Sequence, residues 1–270
     1  MTPFLTSIFR FFPLNSGASS LTKTRCQPDV KKWAAGMSPV VLLAAQLMAP
    51  MPGYSVEFPD AGDRGAPSRT AGGGTRGGLC EGGDWMAQSI RALVPNNNVS
   101  TFVGDRASLW IYVADGFAQK TAEIYVQDPR TRQVVYQKQL LLAALGDGGI
   151  LQLELPAMDA EGAPLLEKEQ NYFWEFAIIC NPDDRTQDYI VRGFINQMDV
   201  SSQLSDALAT AAPEEQLALY ATAEIWQETV SLAIAQKASN PQLWKTLLAS
   251  VGLESLAASP LKDCCDWASQ

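Results

Sequence analysis

The sequence of 270 residues contains no histidine. Without histidine a chain cannot build a Ser-His-Asp triad, a Cys-His pair, an HExxH zinc site or a His-ligated haem. Histidine is also the side chain most often used for proton transfer near neutral pH, so its absence lowers the expectation of an enzyme. We therefore expect a non-enzymatic protein that needs no cofactor, and a hydrolase that works without histidine is the weakest alternative.

Basic residues are scarce outside the N-terminal segment. The chain has 20 Lys and Arg against 29 Asp and Glu, and residues 1–55 hold five of the bases but one of the acids. The rest of the chain is therefore strongly acidic, with no later cluster of Lys or Arg to offset the acids. Because nucleic-acid binding needs a basic face that displaces counterions, we expect no nucleic-acid partner.

The apolar run near the N-terminus is too short to span a bilayer comfortably, which takes about 20 residues. This run, at residues 37–49, follows the basic pair Lys31-Lys32 and precedes small residues around Ser55. The pattern is typical of a secretory signal peptide, so we expect cleavage near Ser55 and export to the periplasm or cell surface. We expect no membrane span after cleavage. An uncleaved anchor and a true start at Met37 stay open as alternatives.

The five cysteines are Cys26, Cys80, Cys180, Cys264 and Cys265. The first leaves with the signal peptide, so Cys80 and Cys180 are the expected disulfide pair of an exported protein. Closing so long a loop contributes on the order of 4–5 kcal/mol in the chain-entropy model. The vicinal pair near the C-terminus is expected to be a frayed end, and an intermolecular or free-thiol role is the alternative.

Composition divides the chain into four parts. Residues 56–84 are rich in Gly, Asp, Arg and Pro and poor in apolar side chains, so they are expected to bury no core. A short helix is expected at 87–94, before a proline. The predicted parts are a basic leader with signal peptide at 1–55, a Gly/Pro-rich arm with a short helix at 56–98, a β-sandwich at 99–199 and a helical region at 200–270.

Seven short runs rich in Val, Ile, Tyr, Trp and Phe lie between turn residues, with no helix between them. Alternation is visible: Leu151, Leu153 and Leu155 share one phase, while the residues between them are polar. This pattern predicts a mainly β fold, an antiparallel sandwich of the immunoglobulin or fibronectin type. The predicted strands are 99–103, 108–114, 121–127, 134–142, 150–155, 172–180 and 189–198.

The apolar period becomes helical after about residue 200. We predict a short helix at 205–210, a longer one that opens at Pro213 and runs past Ala233, and another that is capped by Asn240 and ended by Gly252. The last two form a small C-terminal helical hairpin. A hairpin alone cannot bury both of its faces, so it is expected to dock on the sandwich or on a partner.

Blocks along residues 67–260 resemble a largely cyanobacterial family called domain of unknown function 928. The most specific block runs from Arg69 through the glycines to Cys80. The resemblance implies an architecture and supplies no reaction. The other blocks that carry it are Ala92-Leu93-Val94-Pro95, Leu109-Trp110-Ile111-Tyr112-Val113, Tyr172-Phe173-Trp174 with Phe176, Ile178 and Cys180, Asp184-Arg185, Gly193, Tyr220-Ala221, Ile225-Trp226 and Trp244 with Leu247-Leu248.

The Gly-rich block matches GxGxxG, but no strand precedes it and more glycine follows, so a dinucleotide site is not expected. The main interpretation is an arm that Cys80 pins to the sandwich and whose glycines allow close approach. The alternative is a backbone nest that holds a carboxylate or another anion. The candidate residues for that nest are Arg69, Gly72, Gly73, Gly74, Thr75 and Arg76.

Two further motifs have functional and purely structural interpretations. Asp183, Asp184 and Asp188 gather oxygen atoms in one loop and are a weak candidate for calcium, although a hydrogen-bonded turn is the favoured interpretation. Aromatic residues on the strands either form a sugar-stacking platform or belong to the core, which is commoner. The four residues of this possible platform are Trp110, Tyr112, Trp174 and Phe194.

The sequence as a whole predicts an exported, non-enzymatic interaction or structural module whose partner is a protein of the bacterial cell envelope. A carbohydrate- or calcium-binding module is the alternative. No catalytic residue is singled out by the sequence, and no metal or cofactor is expected.

Overall fold

The alternating apolar residues between 99 and 198 form strands, as the sequence predicts. The computed structural model describes residues 56–60, 89–142, 145, 147–262 and 266–267, all of which belong to the unit Pro52–Gln270. The strands of this part of the chain are β1 (Ile90–Ala92), β2 (Val99–Phe102), β3 (Ser108–Val113), β4 (Thr121–Gln127), β5 (Val134–Leu141), β6 (Gly149–Glu154), β7 (Asn171–Ile178), β8 (Tyr189–Gln197), β9 (Leu261–Lys262) and β10 (Asp266–Trp267).

The strands form two sheets. One contains four strands in the order β1-β3-β6-β9, and the other contains six in the order β10-β5-β4-β7-β8-β2. The fold is therefore mainly β and consistent with a sandwich. The expectation of wholly antiparallel pairing needs correction, because β2 pairs in parallel with β8 and β6 pairs in parallel with β9. The apolar pattern of a strand does not reveal whether the neighbouring strand runs parallel or antiparallel to it.

The sandwich core lies between the two sheets and follows the predicted alternation. Leu151 and Leu153 of β6 are buried, whereas Glu154 is exposed. On the other sheet, Trp174 and Phe176 of β7 are almost fully buried. These side chains belong to one continuous apolar cluster, which we call the sandwich core. Period-two patterning thus sets which side chains enter the core.

Between residues 201 and 262 the chain forms four α-helices: α1 (Ser202–Thr210), α2 (Pro213–Thr222), α3 (Trp226–Gln236) and α4 (Pro241–Ser250). The predicted cap is confirmed, because the Asn240 side chain accepts a hydrogen bond from the Leu243 amide at 3.3 Å. The predicted longer helix is in fact α2 and α3, which are separated by Glu224 at φ +57°. The region is therefore larger than a hairpin. None of the described helices is long and apolar enough to cross a membrane.

Helices α2 to α4 pack on the outward face of the four-stranded sheet. Trp110 and Ile150, from β3 and β6, join Trp226 and Trp244 in a second apolar cluster, the helical core. The first residues of the predicted arm join this core too, since Val56 and Phe58 are each only 4% exposed. The Phe58 ring lies edge-on to Trp226 with centroids 4.8 Å apart. The expectation that residues 56–84 bury no core is therefore wrong at its first positions.

The helix expected at 87–94 is also wrong. Ile90–Ala92 is a strand that pairs with β3, and the Leu93 amide donates to the Trp110 carbonyl at 2.8 Å. Ile90 and Ala92 face the sandwich core while Leu93 joins the helical core. The segment contributes side chains to two apolar cores, one on each side. Its apolar residues therefore do not alternate with polar ones, and the sequence suggested a helix instead of a strand.

Candidate interaction face

Three aromatic side chains form a row on the outward face of the six-stranded sheet. Tyr125, Phe173 and Phe194 come from the neighbouring strands β4, β7 and β8. Ring centroids lie 6.0 Å apart for Tyr125 and Phe173, and 5.7 Å apart for Phe173 and Phe194. All three are half-buried, and they belong to neither the sandwich core nor the helical core. We call these three residues the aromatic row.

Charged side chains lie beside the aromatic row. Glu175 stands opposite Tyr125 on one neighbouring strand and opposite Arg192 on the other. The Arg192 guanidinium and the Glu175 carboxylate are 3.1 Å apart. Glu123, one position along on the same face, accepts a hydrogen bond from the Gln139 amide at 3.1 Å. Aromatic, cationic and anionic groups therefore share one surface.

Two ionisable side chains of this face, Glu175 and Tyr125, are partly removed from water, and their pKa values are shifted as a result. Burial raises the pKa of Glu175, while the nearby Arg192 and Arg185 oppose that shift by favouring the charged carboxylate. Burial and the neighbouring Glu175 also raise the pKa of Tyr125. A charged pair that is already partly dehydrated loses less hydration when a partner covers it. The face thus carries groups suited to oriented, non-covalent contact.

The sugar-stacking platform suggested by the sequence is not assembled. Trp110 is 6% exposed in the four-stranded sheet, and Trp174 is 1% exposed on the inward side of the other sheet. Tyr112 packs against the helical core. Of the four residues, Phe194 alone lies in the aromatic row. Tyr125 and Phe173 were missed, although their alternation against the buried Ile124 and Trp174 was the signal that could have found them.

The carboxylates of the calcium candidate are used by the turn that carries them. Asp184 accepts hydrogen bonds from the Thr186 hydroxyl, from the Gln187 side chain at 2.9 Å and from the Thr186 amide at 3.2 Å, and these hydrogen bonds lower its pKa. Asp188 accepts from the amide of Cys180 and from Arg185. Asp183 is exposed. Within the described ranges, no three His, Cys, Asp or Glu side chains are grouped to hold a metal ion.

Residues 61–88 of the predicted arm fall outside the described residues. Cys180 lies half-buried just beyond β7 and packs against the sandwich core, but its expected partner Cys80 is not among the described residues. The same holds for the anion-nest candidates from Arg69 to Arg76, for the leader and for the vicinal cysteines near the C-terminus. The disulfide, the nest and the signal peptide stay predictions.

Among the described residues, the largest pKa shift belongs to Glu228 of α3, beside the end of β2. Burial raises its pKa from 4.5 to about 7. Its Oε1 atom accepts a hydrogen bond from the Val103 amide at 3.0 Å. A hydrolase without histidine would place such a carboxyl in a cleft. Glu228 lines neither of two large cavities of the protein, and its geometry is that of a clamp between a helix and a strand.

Comparison with known proteins adds one match. A family model described as Domain of Unknown Function (DUF928) matches residues 71–261. No curated protein and no solved structure matches the chain.

Proposed function

The chain belongs to the DUF928 family, and because that membership assigns no reaction, we propose its function from its own surface. We propose that the protein is an exported, non-enzymatic interaction module that binds a protein partner of the bacterial cell envelope. The contact surface in this proposal is the aromatic row together with Glu175 and Arg192.

One observation carries the proposal: a row of aromatic side chains lies outside both apolar cores, next to an arginine. Tyr, Phe and Arg are enriched in protein interfaces, and a few such residues commonly supply most of the binding energy. The strands of a sandwich hold these side chains rigidly, so little conformational entropy is lost on binding. The Glu175–Arg192 pair beside the row would orient the partner.

The ring geometry favours a protein partner over a carbohydrate. The planes of Tyr125 and Phe173 are inclined at 51°, and those of Phe173 and Phe194 at 68°. A flat sugar platform needs exposed rings that lie close to one plane. Tilted rings leave notches between them, into which the side chains of another protein can insert.

We infer further that the scaffold is of the immunoglobulin or fibronectin type. In that arrangement strands A, B and E lie in one sheet, and strands C, F and G lie in the other. Here β1, β3 and β6 share one sheet and correspond to A, B and E. Strands β4, β7 and β8 share the other sheet and correspond to C, F and G. This distribution of strands supports the inference.

Intact mass of the protein from its native envelope fraction, with and without reduction, tests the export part of the proposal. We expect a product that begins near Val56, with Cys80 and Cys180 alkylated after reduction alone. A full-length product in which both thiols are alkylated without reduction would contradict export.

Site-specific photo-crosslinking in the native cell tests the interaction part. A photoreactive residue in place of Phe173 is expected to capture one envelope protein, and Arg192→Glu in the same chain is expected to abolish that capture. The control places the same photoreactive residue at the exposed Gln242 of α4. The proposal fails if both positions capture the same proteins, or if Arg192→Glu leaves the pattern unchanged.

A further inference from the structure

A cavity of about 570 Å³ lies at one end of the sandwich, and none of the three residues of the aromatic row lines it. Residues 156–168, which connect β6 to β7, form one side of it, and Phe102 of β2 and Gln197 of β8 form part of the other. Its volume falls within the range of about 300–1,000 Å³ that is usual for small-molecule sites. Its apolar lining includes Phe102, Ala157, Met158, Pro164, Leu165 and Leu166.

The wall formed by residues 156–168 is fixed by its own hydrogen bonds. Asp159 Oδ1 accepts from the amides of Glu161 and Ala163 at 3.0 and 2.8 Å. The Leu165 amide donates to the Ala157 carbonyl at 3.0 Å. Leu165 itself is buried in the sandwich core. A wall held in this way is preorganised, so a ligand need not order it on binding.

The chemistry of the lining restricts the body of a ligand. The amide of Gln197 already donates to the Gly104 carbonyl. A polar ligand body would therefore lose hydration against Phe102 and Leu166 without gaining matching hydrogen bonds. Met158 is 52% exposed at the cavity, and the flexible thioether of methionine adapts to aliphatic chains. These walls suit an aliphatic chain.

The charged residues of the lining restrict the head group. They are Asp105, Glu167 and Lys168. The Lys168 ammonium is 2.5 Å from the Asp199 carboxylate and also lies near Asp105, so this one cation faces two carboxylates. Glu167 has only a distant contact of 3.9 Å with Arg130. The charge left over at the cavity is negative, so it repels an anionic head group and attracts a cationic one.

We propose that this cavity binds a cationic amphiphile: its aliphatic chain lies between Phe102 and residues 156–168, and its ammonium head lies near Asp105 and Glu167. This site is separate from the proposed protein-binding face. Failure of one proposal would therefore leave the other unaffected.

Calorimetric titration of the full chain with three short amphiphiles of equal chain length tests the site. The probes are octyltrimethylammonium, octyl glucoside and octanoate, each below its micelle concentration. We expect the ammonium probe to bind about tenfold more tightly than octanoate, with the neutral probe between them. Asp105→Asn is expected to reduce the preference for the ammonium probe by about fivefold. Equal affinity for all three probes, or binding of none, would overturn the proposal.

Variants that fill the cavity locate the binding. Ala157→Trp is expected to weaken binding of the ammonium probe at least about tenfold, because the indole occupies the space of the chain. The matched control is Ala249→Trp on the exposed side of α4, which is expected to bind as the parent does. If Ala157→Trp loses its native circular dichroism, Ala163→Phe replaces it. Undiminished binding by the folded variant would place the amphiphile elsewhere and refute the proposal.

Discussion

The outward faces of the two sheets differ in what covers them. The outward side of the four-stranded sheet presents Trp110 and Ile150 to the helices, and both are buried. The outward side of the six-stranded sheet presents the aromatic row, whose side chains are half-buried and join neither core. The same residue types therefore serve stability on one face and remain accessible on the other.

The difference teaches that aromatic content alone does not separate a core from a binding surface. Burial of a large aromatic side chain stabilises a fold by a few kcal/mol, whereas one left half-exposed contributes far less. Substitutions on the covered face should therefore act on folding, and those on the open face should act on binding. Four predictions test that division, in order of decreasing effect on stability.

Trp226→Ala is expected to have the largest effect. Trp226 is fully buried in the helical core, and its indole N–H donates to the Leu93 carbonyl at 2.9 Å. Its removal leaves a cavity and an unpaired carbonyl, so we expect a loss of about 3–5 kcal/mol in the free energy of unfolding. Urea denaturation measures the loss. A loss below about 1 kcal/mol would show that the helices contribute little to the fold.

Glu228 is expected to make stability depend on pH. Its pKa is about 7 in the folded protein against an ordinary value of 4.5, so the unfolded chain releases this proton at a lower pH than the folded protein does. The free energy of unfolding therefore falls as the pH rises from about 4.5 to about 7, and then levels off. The penalty above that window is about 3 kcal/mol.

Glu228→Gln keeps an oxygen for the Val103 amide and removes the ionisation. We expect it to be more stable than the parent by about 3 kcal/mol near pH 9 and nearly equal to it near pH 4. Urea denaturation at several pH values measures this, with Glu254→Gln, at an exposed position, as the control that removes the same charge. Parallel pH profiles for the parent and Glu228→Gln would contradict the assignment.

Thr101→Val is expected to have an intermediate effect. The Thr101 hydroxyl accepts a hydrogen bond from the Trp226 amide at 3.0 Å and donates to the Glu224 carbonyl, so it ties β2 to the start of α3. Removing it should cost about 1–2 kcal/mol in the free energy of unfolding. Thermal unfolding compares it with Thr131→Val in an exposed turn. Equal losses of stability in the two variants would show that the hydrogen bonds of Thr101 to Trp226 and Glu224 add nothing beyond those of an exposed turn.

Phe173→Ala, on the open face, is expected to change the free energy of unfolding by less than about 1 kcal/mol. The same substitution should abolish capture of a partner by a photoreactive residue in place of Tyr125. Denaturation and crosslinking together separate the two roles. A loss comparable to that of Trp226→Ala would mean that the aromatic row belongs to the folding core and that the comparison of faces is wrong.

The sequence predicted the parts of the fold that long patterns control. All seven predicted strands are confirmed. Six of them run over six or more residues, which is long enough for a period-two pattern to show, whereas β2 has only four residues, all of them buried. Asn240 with Pro241 marked the start of α4 for a local reason, side-chain capping. The break at Glu224 could not be predicted, since the apolar spacing of Leu217, Tyr220 and Ile225 continues across it.

The candidate site was harder to predict, because strand phase matters more there than residue type. The sequence offered Trp174 as a surface aromatic. Its position in the alternation of β7 points it into the core, and the next residue back, Phe173, points outward. The burial of Phe58 depends on a partner far away in sequence, Trp226, which no local pattern reveals. The cavity formed by residues 156–168 has no sequence signature, since it arises where a connection folds over the end of the sandwich.

The contact between the first described residues and the last helix has a consequence for synthesis. The Phe58 amide donates to the Ser250 hydroxyl across 192 positions of sequence. Helices and hairpins form from local contacts, but this contact waits until nearly the whole chain has left the ribosome. A nascent chain that lacks α3 and α4 therefore exposes Trp110 and Phe58 together until those two helices have been made and cover them.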